Sequence, residues 1–182
     1  VKLITRNFGN KVKLRLDANS MWNIEQTRYF IKIFSGHNIE YIEQPVKEIE
    51  ELIELSRESS VPIALDESIE RVDIIPDLIK NSKIIHFVLK PSIMGSMNEL
   101  VDVIRLLQSK ERKAIISSAF ESAVGRSALV YLASLSNHNS SHGLAVSNYF
   151  QNDIADDEFP IKNGRIEFSQ RNYPPNFNMI KV

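Results

Sequence analysis

Along this chain, short runs of Val, Ile and Leu alternate with longer stretches in which apolar residues recur at three- and four-residue intervals. The short runs predict strands over residues 12–16, 39–42, 63–65, 84–89, 114–116 and 143–146. Their near-continuous apolar character is that of strands covered by helices rather than the alternation of a sheet with one wet face. Between them, helical spacing predicts helices over 24–35, 48–59, 72–81, 97–109 and 122–135. Asn23 is placed to cap the first of these, and Ser96-x-x-Glu99 spells a capping box ahead of the fourth. Pro76 lies early in the 72–81 stretch, where a first turn tolerates it. A strand-plus-helix unit recurs about every 25 residues, which suits parallel strands in a barrel or an open sheet and is too long a period for a small helical solenoid. No low-complexity tract or linker interrupts the series, so residues 1–182 read as a single domain.

Composition changes this picture little. At 182 residues, 43% hydrophobic, 25% charged and a net charge of −1, the chain has enough material for one sizeable core. That near-neutral balance argues against a nucleic-acid or polybasic membrane partner, both of which need a cationic face. With no cysteine, disulfides, thiolate metal sites and a cysteine nucleophile are excluded. No apolar run approaches the roughly 20 residues of a membrane span, and the first ten residues lack a secretory leader pattern. A cytoplasmic protein is the expectation.

The chemistry lies where each strand ends. The first runs into Asp17-Ala18-Asn19, the second into Glu43-Gln44-Pro45, the third into Asp66-Glu67-Ser68, the fourth into Lys90-Pro91-Ser92 and the fifth into Ser117-Ser118. The steps from Asp17 to Glu43, Asp66, Lys90 and Ser117 are 26, 23, 24 and 27 residues. A lone Asp in such a place is ordinarily a helix cap or a turn former. A whole set repeated once per unit converges on one face of a barrel, the face that carries catalysis in this architecture. Three carboxylates brought together repel one another, and oxygen-only ligation selects a hard cation, Mg²⁺ first and Mn²⁺ by the same criteria. A cation there would hold a substrate carboxylate while an α-proton leaves. Lys90, beside it, is expected to have its pKa lowered toward neutrality. His37, His86, His138 and His142 show no ligand spacing and read as surface or loop residues, while Trp22 and Phe120 read as packing groups.

Four strand ends, Leu14-Arg15-Leu16-Asp17-Ala18-Asn19, Ile42-Glu43-Gln44-Pro45, Ala64-Leu65-Asp66-Glu67-Ser68 and Leu89-Lys90-Pro91, resemble those of the muconate-lactonizing subgroup of the enolase superfamily. The segment from Ile116 through Ser117-Ser118-Ala119-Phe120-Glu121-Ser122 to Gly125 resembles that of o-succinylbenzoate synthases, and Gly143-Leu144 with Phe150 and Asp153 is similar to their eighth-strand region. The resemblance covers residues 12 to 155. It implies a partial TIM-like (β/α) barrel, about strands 3 to 8, lacking the first strands and the capping domain. It implies that Asp17, Glu43 and Asp66 ligate Mg²⁺ and that Lys90 faces the substrate, as a charge in the synthases or as a second acid/base in related epimerases and racemases. It further implies that Ser117, Ser118, Gly143 and Leu144 contact a small-molecule carboxylate, and that Asn19 and Glu67 orient the ligands. The implied reaction is dehydration of a cyclohexadiene carboxylate, on the route to menaquinone or phylloquinone.

Two departures matter. The family's base is the second lysine of a Lys-x-Lys pair, one strand before Asp17. Lys11-Val12-Lys13 has that spelling, but Lys13 lies about 13 Å below Asp17 at roughly 3.3 Å per residue. Lys11 and Lys13 therefore lead into the strand, and the base and capping domain are expected from a further segment or a partner chain. The alternatives are a dipeptide epimerase or N-acylamino acid racemase, and a catalytically inactive barrel fragment. In the tail, Arg171-Asn172-Tyr173-Pro174-Pro175 and Ala145 also differ from the usual pattern.

Overall fold

The computed structural model describes residues 1–136 and 139–168. Five parallel strands lie side by side in chain order: β1 (Leu14–Asp17), β2 (Ile39–Glu43), β3 (Ile63–Leu65), β4 (His86–Leu89) and β5 (Lys113–Ile116). Helices α2 (Ile24–Phe34), α3 (Ile49–Glu58), α4 (Ile75–Asn81) and α6 (Met97–Ser109) connect them. A four-residue turn of helix, α5 (Pro91–Met94), precedes α6, and α7 (Ala123–Ser134) follows β5. The sheet curls into a half-barrel with the helices outside.

Local sequence accounts for most boundaries. Asn23 and Gln26 form a reciprocal capping box at the start of α2, and Ser96 and Glu99 do so at the start of α6. These satisfy amides that a helix N-terminus would otherwise leave bare. Pro76 sits in the first turn of α4, where its missing N–H costs nothing. A further helix, α1 (Lys2–Phe8), buries no residue, so no apolar period announces it.

Alternation along the strands sorts the two faces. Ile42, Ile63, Leu65, Phe87, Leu89, Ala114 and Ile116 point outward into one core with Leu52, Leu55, Leu78, Leu100, Ile104, Leu107 and Leu129 of the helices. Each of the Ile, Leu and Phe side chains contributes about 1.5–3 kcal/mol by leaving water, and Ala114 less. The alternate positions face the concave side: Arg15 and Asp17, Tyr41 and Glu43, Ala64, His86 and Val88, Ile115, and Ser117 beyond β5.

The concave floor holds a polar cluster. Arg15 Nε and Nη2 donate to the two carboxylate oxygens of Glu40 at 3.0 and 3.3 Å, and Nη1 donates to the Ser141 carbonyl at 2.7 Å. Its guanidinium lies 4.9 Å from the centre of the Tyr41 ring. The Tyr41 ring is in turn 4.8 Å from that of His86. Ala64 on β3, in register with His86, is small enough to let the two rings meet across it. His86 is therefore a buried inward group and not the surface residue expected.

The expected sixth strand at 143–146 is also corrected. Gly143 makes a single parallel bridge with Ser117, after which the Val146 amide turns back to the Leu144 carbonyl at 3.0 Å. Leu144 is apolar because it packs into the core, and a four-residue apolar run does not distinguish pairing from packing. His142, half-buried, accepts the Ile116 amide at Nδ1 (3.0 Å) and so extends the edge of β5. His37 meets Thr5 at 3.2 Å. His138 and the 171–175 tail segment lie outside the described residues.

Candidate functional site

Asp17 and Glu43 are cross-strand partners at the carboxyl ends of β1 and β2. Asp66 is the first residue beyond β3, and Lys90 the first beyond β4. Parallel strands in consecutive order thus bring together the four groups that the periodic spacing singled out. Asp66 is buried, and its Oδ2 accepts a hydrogen bond from Lys90 Nζ at 2.6 Å. Glu43 is half-buried beside them. Asp17 is exposed, with Oδ1 accepting the Asn19 amide at 2.9 Å. Asn19 thus holds Asp17 through its backbone, in a left-handed turn (φ 47°). Glu67 is exposed at the rim.

Burial and charge together explain the local titration. Burial, then the charges of Asp17 and Asp66, push the Glu43 carboxyl up to about 8. Burial also raises Glu67, with Asp66 contributing. Lys90 moves opposite to the expectation. Burial tends to lower it, but the hydrogen bond from Lys90 to Asp66 and the charges of Asp66, Glu67 and Glu43 outweigh that and raise it. An ammonium ringed by carboxylates keeps its proton.

The residue that shapes this corner is Gln44, which was legible as part of the second strand end but not as a support. It is fully buried and left-handed (φ 38°). Its Oε1 accepts the amides of Asp66 and Ser68 at 3.0 and 3.2 Å, and its Nε2 donates to the Val46 carbonyl and to Ser68 Oγ at 3.0 and 2.5 Å. One amide side chain thereby fixes the turn that presents Asp66. A polar residue directly after a strand-end acid was the only sequence signal for it.

Across the concave face, Ser117 pairs with Gly143, where a Cβ would stand 2.8 Å from Ser117 Oγ. Glycine is favoured there by close approach rather than by its dihedrals, since a Cβ would make the Ser117 hydroxyl turn away. Ser118 donates through its amide to the Gly143 carbonyl at 2.9 Å, and its hydroxyl donates to Glu121. Leu144 is buried behind this segment. Phe120 is not a packing group: it is 62% exposed, edge-on to the exposed Tyr149 ring at 5.8 Å. Trp22 does pack, 4.5 Å from Phe30. Lys11 and Lys13 are exposed ahead of β1, at the opposite end of the strand from Asp17.

Among the described residues, no three His, Cys, Asp or Glu side chains stand as a ready metal cage. The donor set still suits a hard cation. The candidate donors are all oxygen, and Glu43 is pushed toward protonation by burial and then by the charges of Asp17 and Asp66. The Lys90 ammonium meets that need in part, in direct contact with Asp66 and by its charge at Glu43.

Comparison with known proteins agrees with this fold. Residues 1–172 match the family described as enolase C-terminal domain-like. The o-succinylbenzoate synthase of Thermobifida fusca is 31% identical over 159 residues, covering 86% of this chain and 49% of that protein. That of Mycobacterium bovis is 31% identical over 150 residues, 81% of this chain and 45% of that protein. The chloroplastic protein PHYLLO of Arabidopsis thaliana is 33% identical over 135 residues, 72% of this chain and 8% of that protein. The chain thus spans about half the length of the two synthases, and far less of PHYLLO. Among solved structures, the muconate lactonizing enzyme of Pseudomonas putida superposes with a TM-score of 0.79 at 20% identity over 90% of this chain and 47% of that one. The N-succinyl Arg/Lys racemase of Bacillus cereus does so at 0.78 and 22% over 86% and 43%. Both share the curled parallel sheet with its outer helices. By sequence match across nearly its whole length and by fold, the chain belongs to the enolase C-terminal domain-like family.

Proposed function

We propose that this chain forms the metal-binding part of the barrel of an o-succinylbenzoate synthase, a lyase acting on a cyclohexadiene carboxylate. The observation that carries the reading is the Lys90–Asp66 contact of 2.6 Å at strand ends shared with Asp17 and Glu43. In this reading Asp17, Glu43 and Asp66 hold Mg²⁺, or Mn²⁺, which when bound supplies charge stabilisation for the substrate carboxylate. Lys90 contributes a fixed positive charge toward the anion left when the neighbouring proton departs. Its pairing with Asp66 supports that electrostatic role over the two-way proton transfer a racemase would ask of it. Ser117 and Gly143 form the wall opposite, with Leu144 behind. The base is supplied by a further segment or a partner chain, because Lys11 and Lys13 lie at the wrong end of β1.

The test is calorimetric titration of Mg²⁺ into the chain and into its Asp66→Asn variant, beside a dehydration assay with the cyclohexadiene carboxylate. The expected result is binding that the variant weakens by about tenfold or more, since it removes a charged ligand and leaves Lys90 unpaired. Absence of binding by both proteins would move the inactive-fragment reading ahead. Racemisation of an N-acylamino acid without dehydration would replace the synthase.

A further inference from the structure

Glu121 lies outside the carboxylate–lysine cluster, on the turn between β5 and α7, and gathers donors from two turns. Its Oε1 accepts from Ser92 Oγ at 2.5 Å, and its Oε2 accepts from the Ser118 hydroxyl. Both oxygens accept the Ala119 amide, at 3.1 and 3.0 Å. Ser92 stands two residues beyond Lys90 on α5, and Ser118 stands next to Ser117. One carboxylate therefore bonds to the turn that presents the lysine and to the turn that presents the serines.

Three further features hold it there. Ser118 Oγ accepts the Phe120 amide at 3.1 Å, and Phe120 itself is left-handed (φ 69°), a conformation that a bulky residue keeps only when its neighbours impose it. Gly125 is the second feature: a Cβ there would lie 2.8 Å from Glu121 Cβ, so the first turn of α7 reaches this position only as glycine. The third is charge. Burial pushes the Glu121 carboxyl up, but the hydrogen bonds from Ser118, Ser92 and Ala119 outweigh it and hold the group ionised, below the usual range.

We propose that Glu121 is a positioning residue. It braces the Lys90 turn against the Ser117–Ser118 turn and uses the Ser118 proton itself, so that Ser118 meets a ligand only as an acceptor. The proposal rests on reading those two turns as walls of the site. With both Ser118 bonds made, a carboxylate ligand gains no donor from that hydroxyl. Ser117, on the concave face, is then the serine left to discriminate among ligands.

The brace can be tested in the chain itself by amide hydrogen exchange on the wild type, Glu121→Ala, Glu121→Gln and Ser92→Ala. In Glu121→Ala, exchange at Ala119 and Phe120 should rise about 10- to 100-fold, the range for losing hydrogen bonds to a charged group. Ile115 and Ile116 within β5 should be unchanged. Ser92→Ala removes one donor on the far turn and should speed Ala119 exchange about threefold or more, with an unaltered melting temperature. Glu121→Gln, retaining one acceptor oxygen, should fall between. In parallel, o-succinylbenzoate titrated in saturating Mg²⁺ should bind more weakly to Ser92→Ala than to wild type. Unchanged Ala119 exchange in Ser92→Ala would overturn the brace, even if Glu121→Ala fails to fold. A wild type that binds neither Mg²⁺ nor o-succinylbenzoate would instead overturn the functional reading and leave the exchange result to decide the brace.

Discussion

Raising the pH of the metal-free chain should destabilise it, and Glu43 should be the cause. Folding moves this carboxyl from an ordinary value of 4.5 up to about 8, through burial and then the charges of Asp17 and Asp66. The folded state therefore holds the Glu43 proton where the unfolded state has released it. Stability unaffected by this group below pH 4.5 is lost progressively as the pH rises to about 8. At about 1.4 kcal/mol per pH unit the whole interval is worth at most about 5 kcal/mol, and solvent screening of a half-buried group reduces that to about 2. The other shifted groups do not mask it. Glu40 and Glu121 are lowered and act at acid pH, Lys90 is raised and acts in the alkaline range, and Glu67 is raised and adds in the same direction. Urea denaturation at about pH 5.5 and 8 should show a loss of about 1 kcal/mol for wild type and a flatter response for Glu43→Gln. Under the proposed function, Mg²⁺ should restore more stability at pH 8 than at 5.5 and should release close to one proton on binding near neutrality, read by calorimetry in two buffers of different ionisation enthalpy. Equal pH dependence in wild type and Glu43→Gln would refute the reasoning.

Two other substitutions probe the supports. Gln44→Ala strips the acceptor from the Asp66 and Ser68 amides in a fully buried corner and should cost about 2–3 kcal/mol by urea denaturation, with Mg²⁺ affinity falling as the Asp66 turn loosens. Arg15→Met leaves Glu40 without its two-pronged partner and frees the Ser141 carbonyl; a loss of about 2 kcal/mol is expected for this partly buried pair. Arg15→Lys should recover less than half of that, because an ammonium cannot make both bonds to one carboxylate. A Lys variant as stable as wild type would show that charge alone holds the floor.

The amino-acid sequence by itself determined the five strands and most of the helices between them. Apolar continuity marked all five strands, most of them to within two residues, because a strand covered by helices can afford few polar positions. A capping residue at Asn23 and a capping box at Ser96 placed two helix starts through bonds that span only three residues. The acids at Asp17, Glu43 and Asp66 were legible because parallel strands in chain order turn a steady spacing into one shared rim. Only the tertiary structure decided how those groups meet. Lys90 was expected to lose its proton readily, whereas the 2.6 Å contact with Asp66, 24 residues earlier in the chain, makes it keep the charge. His86 looked like a surface residue until Ala64 opened space for Tyr41 to reach it. Leu144 looked like part of a strand, yet it is apolar for packing alone. Gln44 and Glu121 carried no periodic signal, since each acts by hydrogen bonds to a turn more than 20 residues away in sequence. Periodicity reports the burial of a face, which neighbouring residues share. The pairing of polar groups depends on distances of a few ångström between turns that only the folded chain brings together.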